Sequence, residues 1–88
     1  MTDCELSTLA NSSAELAAEE LLLIFQQVGA RGDVMLYKHD GARSENRFTI
    51  MALISGYEGV CRRDGDSLSV CVQDCLRQYL AAKARLGN

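Results

Sequence analysis

The chain has 88 residues, of which 48% are hydrophobic and 24% charged, and its formal net charge is −3. These values are typical of one small folded domain with a thin core, and they exclude a disordered chain. The negative charge argues against unspecific binding to nucleic acid or to anionic membranes. Because the first residues, Met1 to Glu5, are acidic and lack a basic leader segment, we expect a cytoplasmic protein with reduced thiols.

Residues 1–11 are expected to form a flexible arm, and the first helix to begin after it. Ser12 and Glu15 have the spacing of a capping box, which predicts a helix start near Ser12. Good helix formers follow, and Gly29 is a natural helix end. The run from Leu21 to Phe25 is apolar around the whole helix, so it should be buried on more than one side; it is also far shorter than the roughly 20 residues that span a bilayer.

Three strands and a second helix are predicted after that. The strands are Val34 to His39, Arg47 to Ser55, and a short strand around Val60 and Cys61. A helix from about Ser67 to Arg85 follows from apolar residues at spacings of three and four. The order α-β-β-β-α predicts an α+β domain over residues 12–88, with a three-stranded antiparallel sheet and two helices on one face.

Both faces of the predicted sheet are largely apolar. In the second strand Ile50 and Ala52 point to one face, and Met51 and Leu53 to the other. A sheet with one face in water should alternate more cleanly between polar and apolar residues, so the outer face is expected to contact another chain. We therefore predict a homodimer. The residues expected to take part in self-association are Leu22, Leu23, Met35, Tyr37, Met51 and Leu53.

The acidic residues are concentrated at the start of the chain. No Lys or Arg precedes Arg31, whereas five carboxylates do. Glu15, Glu19 and Glu20 lie near the predicted start of the first helix, where the helix dipole stabilises negative charge. The same three side chains are also predicted to bind a protein partner with a basic surface, in the place that phosphate groups would otherwise occupy.

No catalytic residue, metal site or cofactor site is predicted. Cys71 and Cys75 are four residues apart in the apolar stripe of the last helix, where free cysteine acts as a small buried hydrophobic residue. A zinc site made by these two with Cys61 and His39 is the open alternative, although no Cys-x-x-Cys pair is present. No recognisable group orients His39 as the base of a cysteine nucleophile. We therefore predict a protein that is not an enzyme.

The element order, with Phe48-Thr49 opening the central strand, resembles the double-stranded RNA-binding domain over about residues 14–86. That resemblance implies phosphate contacts from lysines at the start of the last helix. The matching stretch here, Asp64 to Ser69, is acidic instead, with only Arg62 and Arg63 just before it. A degenerate RNA-binding domain is therefore an alternative hypothesis, and nucleic acid is not the partner that we expect.

The same order, the small size and the acidic charge also resemble some phage-encoded anti-CRISPR proteins. This resemblance implies an inhibitor that occupies a nucleic-acid-binding groove with an acidic helix. The leading hypothesis is broader. It is a small non-enzymatic domain that acts by binding, and in one version inhibiting, a partner protein, and that associates with itself without membrane contact or cofactor.

Overall fold

Residues 1–87, which the computed structural model describes, form three helices and three strands. The helices are α1 (Asp3–Ala10), α2 (Ala18–Ala30) and α3 (Leu68–Arg85). The strands are β1 (Val34–His39), β2 (Phe48–Leu53) and β3 (Val60–Gly65). The predicted α+β class and the antiparallel three-stranded sheet are confirmed. None of the helices in this part of the chain has the length and apolar character of a membrane span.

The strands are arranged in the order β1-β2-β3, so β2 is central and the other two are edges. Met35 pairs with Ala52, and Ala52 pairs with Cys61. Directly paired residues point to the same face, and this one, which includes Ile50, is the inner face. Helix α2 packs on β1 and α3 packs on β2 and β3. Both helices therefore cover the inner face, as predicted, and the core lies between them and the sheet.

The cysteines of β3 and α3 lie in this core. Cys61, Cys71 and Cys75 are buried, whereas Cys4 on α1 is exposed. Burial, with a smaller effect from the neighbouring thiols and Asp74, raises the pKa of Cys75 to about 12, so its thiol is protonated at neutral pH. Over residues 1–87, no group of three or more His, Cys, Asp and Glu side chains is placed to hold a metal ion.

The N-terminal segment differs from the prediction. The expected arm is instead helix α1, which Thr2 and Glu5 cap reciprocally. The Glu5 amide donates to Thr2 Oγ1 at 3.1 Å, and the Thr2 amide donates to Glu5 Oε1 at 3.0 Å. Leu6 and Ala10 are fully buried, and α1 packs against α3. The prediction of a loosely attached segment was wrong, because this short helix supplies part of the core.

The start of α2 was also predicted wrongly. The helix begins at Ala18, and Ser12 lies in an irregular connection where its Oγ accepts from the Ala14 amide at 3.2 Å. The Leu16 amide donates to Ser69 Oγ at 2.9 Å, which ties this connection to α3. The helix extends to Ala30, past the predicted end at Gly29. The helix therefore starts later than the Ser12 and Glu15 pair predicted, because the contact with Ser69 holds Leu16 outside the first turn.

Asp33, just before β1, joins the sheet to α3 through a buried polar network. Its carboxylate accepts from the Tyr79 hydroxyl at 2.5 Å, from Lys83 Nζ at 2.9 Å and from the Ser55 amide at 2.9 Å. Burial alone would raise the pKa of Asp33, but the hydrogen bonds from Tyr79, Lys83 and Ser55 outweigh it and hold this pKa below its ordinary value. The carboxylate is therefore ionised and fully paired at neutral pH.

Candidate protein-interaction surface

The outer face of the sheet has an exposed apolar end. We call it the outer apolar patch, and its side chains are Val34, Leu36, Met51, Leu53 and Val60. Val34 and Val60 are 50% and 51% exposed. Leu36 and Leu53 are 40% and 38% exposed. Since α2 and α3 pack on the opposite face, no element among residues 1–87 covers this patch.

The other end of the outer face is charged, and its groups are paired with one another. Asp64 accepts hydrogen bonds from the Thr49 hydroxyl, from Arg62 Nε at 3.2 Å and from Arg43 Nη1 at 3.3 Å. These hydrogen bonds, with the largest effect from Thr49, lower the pKa of Asp64 to about 2. Arg43 Nε also pairs with Asp40 at 3.1 Å. The charged end therefore forms a polar border beside the outer apolar patch rather than an unpaired binding site.

A second group of exposed apolar side chains lies on the inner side of the sheet, beside the edge of β1 that faces away from β2. We call it the edge apolar patch, and it consists of Leu22, Phe25 and Tyr37. Leu22 is 62% exposed and Tyr37 is 54% exposed. The Phe25 and Tyr37 ring centroids are 6.3 Å apart, with the planes tilted by 60°. Leu22 lies one turn before Phe25 on α2, so the three side chains follow the edge of the sheet.

The structure divides the six residues predicted for self-association between these two surfaces. Met51 and Leu53 belong to the outer apolar patch. Leu22 and Tyr37 belong to the edge apolar patch. Leu23 and Met35 are partly buried, and Met35 packs against the core. Self-association stays a prediction, but these residues do not form one continuous surface.

Sequence reasoning missed three members of the outer apolar patch. Val34 and Leu36 could have been found, because they alternate with Met35 and Tyr37 along β1. Val60 could not be placed from the sequence alone. Its position opposite Leu53 follows from the register of β3, and this strand extends to Gly65, beyond its predicted length.

The three glutamates of the predicted acidic site do not share one helix. Glu15 lies in the connection before α2, whereas Glu19 and Glu20 lie in the first turn of α2. Glu20 Oε1 accepts from the Ala17 amide at 2.9 Å, so this carboxylate caps the helix. Glu15 and Glu19 are exposed. Partner binding through these residues stays a prediction, and capping already explains Glu20.

The two arginines that keep the RNA-binding alternative open are both paired with carboxylates. Arg62 Nε lies 3.2 Å from Asp64, and Arg63 Nη1 lies 3.2 Å from Asp74. Each pair must open, or share its charge, before the guanidinium can contact a phosphate. The local geometry therefore gives no support to RNA recognition at the start of α3.

Comparison of this chain with protein-family models, with curated proteins and with solved structures gave no match. The resemblances to the double-stranded RNA-binding domain and to anti-CRISPR proteins thus rest on element order, size and charge alone. The sheet and the two exposed apolar patches beside it are therefore the features that bear on function.

Proposed function

We propose that the protein is a cytoplasmic, non-enzymatic interaction domain that associates with itself. We further propose that it binds a partner protein, and that this partner binds at the outer apolar patch. The observation that carries this proposal is an exposed apolar surface that extends over all three strands. Apolar surfaces of this kind, bordered by polar residues, are characteristic of sites of protein–protein contact. The partner is expected to offer an apolar surface of its own.

The neighbouring charges are consistent with this use of the patch. Lys38, Arg62 and Asp64 lie on the same face, next to the apolar residues. Arg62 pairs with Asp64 within the protein, so a partner need not supply a buried counter-charge for it. The apolar centre would then provide most of the binding free energy, and the charged border would orient the partner.

Replacing Leu53 by Glu is expected to abolish capture of the partner from the native host. The change puts a charge at the centre of the outer apolar patch, on the central strand. Val70→Glu is the matched control, because Val70 is 45% exposed against 38% for Leu53 but lies on α3, on the other side of the molecule. The measurement is affinity capture with each folded variant as bait, followed by mass spectrometry.

The comparison among the three baits, which are the unmodified chain and the two variants, decides the result. A protein that is held by the unmodified chain and by the Val70→Glu variant, and lost with Leu53→Glu, supports binding at the patch. If all three baits recover the same proteins in the same amounts, the patch is not the partner site.

A further inference from the structure

The sheet has two edges, and within residues 1–87 only the edge of β3 is protected by another element. The Arg62 amide donates to Gln78 Oε1 at 3.0 Å, and Gln78 Nε2 donates to the Arg62 carbonyl at 2.9 Å. The side-chain amide of Gln78 thus satisfies the outward backbone groups in the middle of β3, as a neighbouring strand would. Natural proteins usually block a sheet edge in some such way, because an open edge is a template for further pairing.

The edge of β1 is open. The Asp40 amide donates to the Arg47 carbonyl at 2.7 Å, so the backbone groups of Asp40 face the strand β2. Because successive residues of a strand alternate in this respect, the backbone groups of Leu36 and Lys38 also face β2. The backbone groups of Met35, Tyr37 and His39 therefore point away from β2. Within residues 1–87, no hydrogen bond from another element reaches them. The six residues of β1 contain no glycine or proline, and their register with β2 is continuous.

We infer that β1 pairs in antiparallel fashion with β1 of a second copy, around a two-fold axis at Leu36. This inference rests on the self-association proposed above and names its interface. In this register the outward backbone groups of Met35 pair with those of Tyr37 of the second copy, which places Leu36 opposite Leu36 of the second copy on the outer face. An axis at Met35 would instead leave half of β1 unpaired.

A register with the two-fold axis at Tyr37 would also pair the outward backbone groups, but it brings together side chains that match less well. An axis at Tyr37 places Leu36 opposite Lys38, and Val34 opposite Asp40, so no apolar pair forms on the outer face. With the axis at Leu36, an apolar pair lies at the centre, and Val34 meets the aliphatic part of Lys38. The complementarity of β1 with itself therefore favours a second copy over an unrelated strand.

The two exposed apolar patches lie on either side of this edge, and the pairing affects both. On the inner side, the edge apolar patches of the two copies come together, which removes Leu22 and Tyr37 from water. On the outer side, the two three-stranded sheets become one sheet of six strands, with the outer apolar patches still free for a partner. Self-association and partner binding thus use different surfaces.

Leu36→Lys should abolish the dimer, and Leu53→Lys should leave it intact. The first change places two like charges directly opposite each other at the two-fold axis, which destabilises a strand pair. The two leucines are 40% and 38% exposed on the same face, so the variants differ chiefly in their distance from the edge. Sedimentation equilibrium gives the mass of each variant, and circular dichroism shows that each is folded.

Mixing folded Leu36→Lys and Leu36→Glu variants tests the register. Each should be a monomer alone, and an equimolar mixture should form a heterodimer, because the opposite charges then face each other. If Leu36→Glu alone forms a tighter dimer, it pairs with Lys38 and the register is wrong. If Leu53→Lys also loses the dimer, or Leu36→Lys keeps it, the edge is not the interface, although self-association stands. A monomeric unmodified chain would overturn both the self-association and this inference, leaving the partner site to its own test.

Discussion

Replacing Asp33 by Ala is expected to lower the free energy of unfolding by about 3–5 kcal/mol, as is usual when one member of a buried ion pair is removed. The change leaves the fully buried Tyr79 hydroxyl and the largely buried Lys83 ammonium without their shared acceptor. Urea denaturation followed by circular dichroism measures the effect. Asp3→Ala is the control, because Asp3 forms an ion pair with Arg31 but is 64% exposed, and such pairs contribute about 0–1 kcal/mol.

The contribution of the Asp33 carboxylate to the free energy of unfolding should depend on pH. The pKa of Asp33 is lower in the folded protein than in the unfolded chain, so its contribution to stability is present above the unfolded pKa of about 3.9. It is lost as pH falls through the lower, folded pKa. The difference in unfolding free energy between the unmodified chain and Asp33→Asn should therefore narrow only below about pH 4. A difference that stays constant down to about pH 2 would show that Asp33 is not the ionised group of this network.

Leu6→Ala is expected to destabilise the protein by about 2–4 kcal/mol, the usual cost of truncating a buried leucine. Leu6 is fully buried although it lies in a helix of eight residues near the start of the chain. Leu22→Ala is the control, because Leu22 is 62% exposed in the absence of a second copy. Its effect should stay within about 0.5 kcal/mol in the monomeric Leu36→Lys background. Equal, small effects of the two changes in urea denaturation would mean that α1 is the loose arm that the sequence suggested.

The sequence predicted β1 and α3 well because the signals for these two elements are local. Strand β1 was placed correctly from Val34 to His39, and α3 was placed within one residue at its start. In both elements a regular apolar period coincides with clear end signals, such as the Ser67 side chain that accepts from the Val70 amide. In these two elements the local sequence pattern favours the same structure as the tertiary contacts, so the pattern alone was enough to predict it.

The first part of the chain was predicted less well because similar signals compete. Ser12 with Glu15, and Ala17 with Glu20, both have the three-residue spacing of a helix start. The Leu16 amide donates a hydrogen bond to Ser69, 53 residues away, and this bond holds the segment between Ser12 and Ala17 out of the helix. No local rule identifies that contact. The Thr2 and Glu5 pair was a usable signal for α1, but so short a helix shows little apolar period.

The candidate interaction surface was predicted in part. Alternation along β2 identified the outer face correctly at Met51 and Leu53. The difference between the two sheet edges could not be predicted, because it depends on Gln78 lying beside Arg62, 16 residues earlier in the chain. Which edge is open follows only from the packing of α3 on β3.

The most direct test of the account is amide hydrogen exchange at the edge of β1, measured by NMR at several protein concentrations. This edge is proposed to stay unpaired until a second copy of the chain covers it. The amides of Met35 and Tyr37 should therefore exchange fast in dilute solution and become protected as concentration rises. The amides of Ile50 and Ala52 on the central strand should be protected throughout. Fast exchange of these two edge amides at every concentration would contradict pairing at this edge.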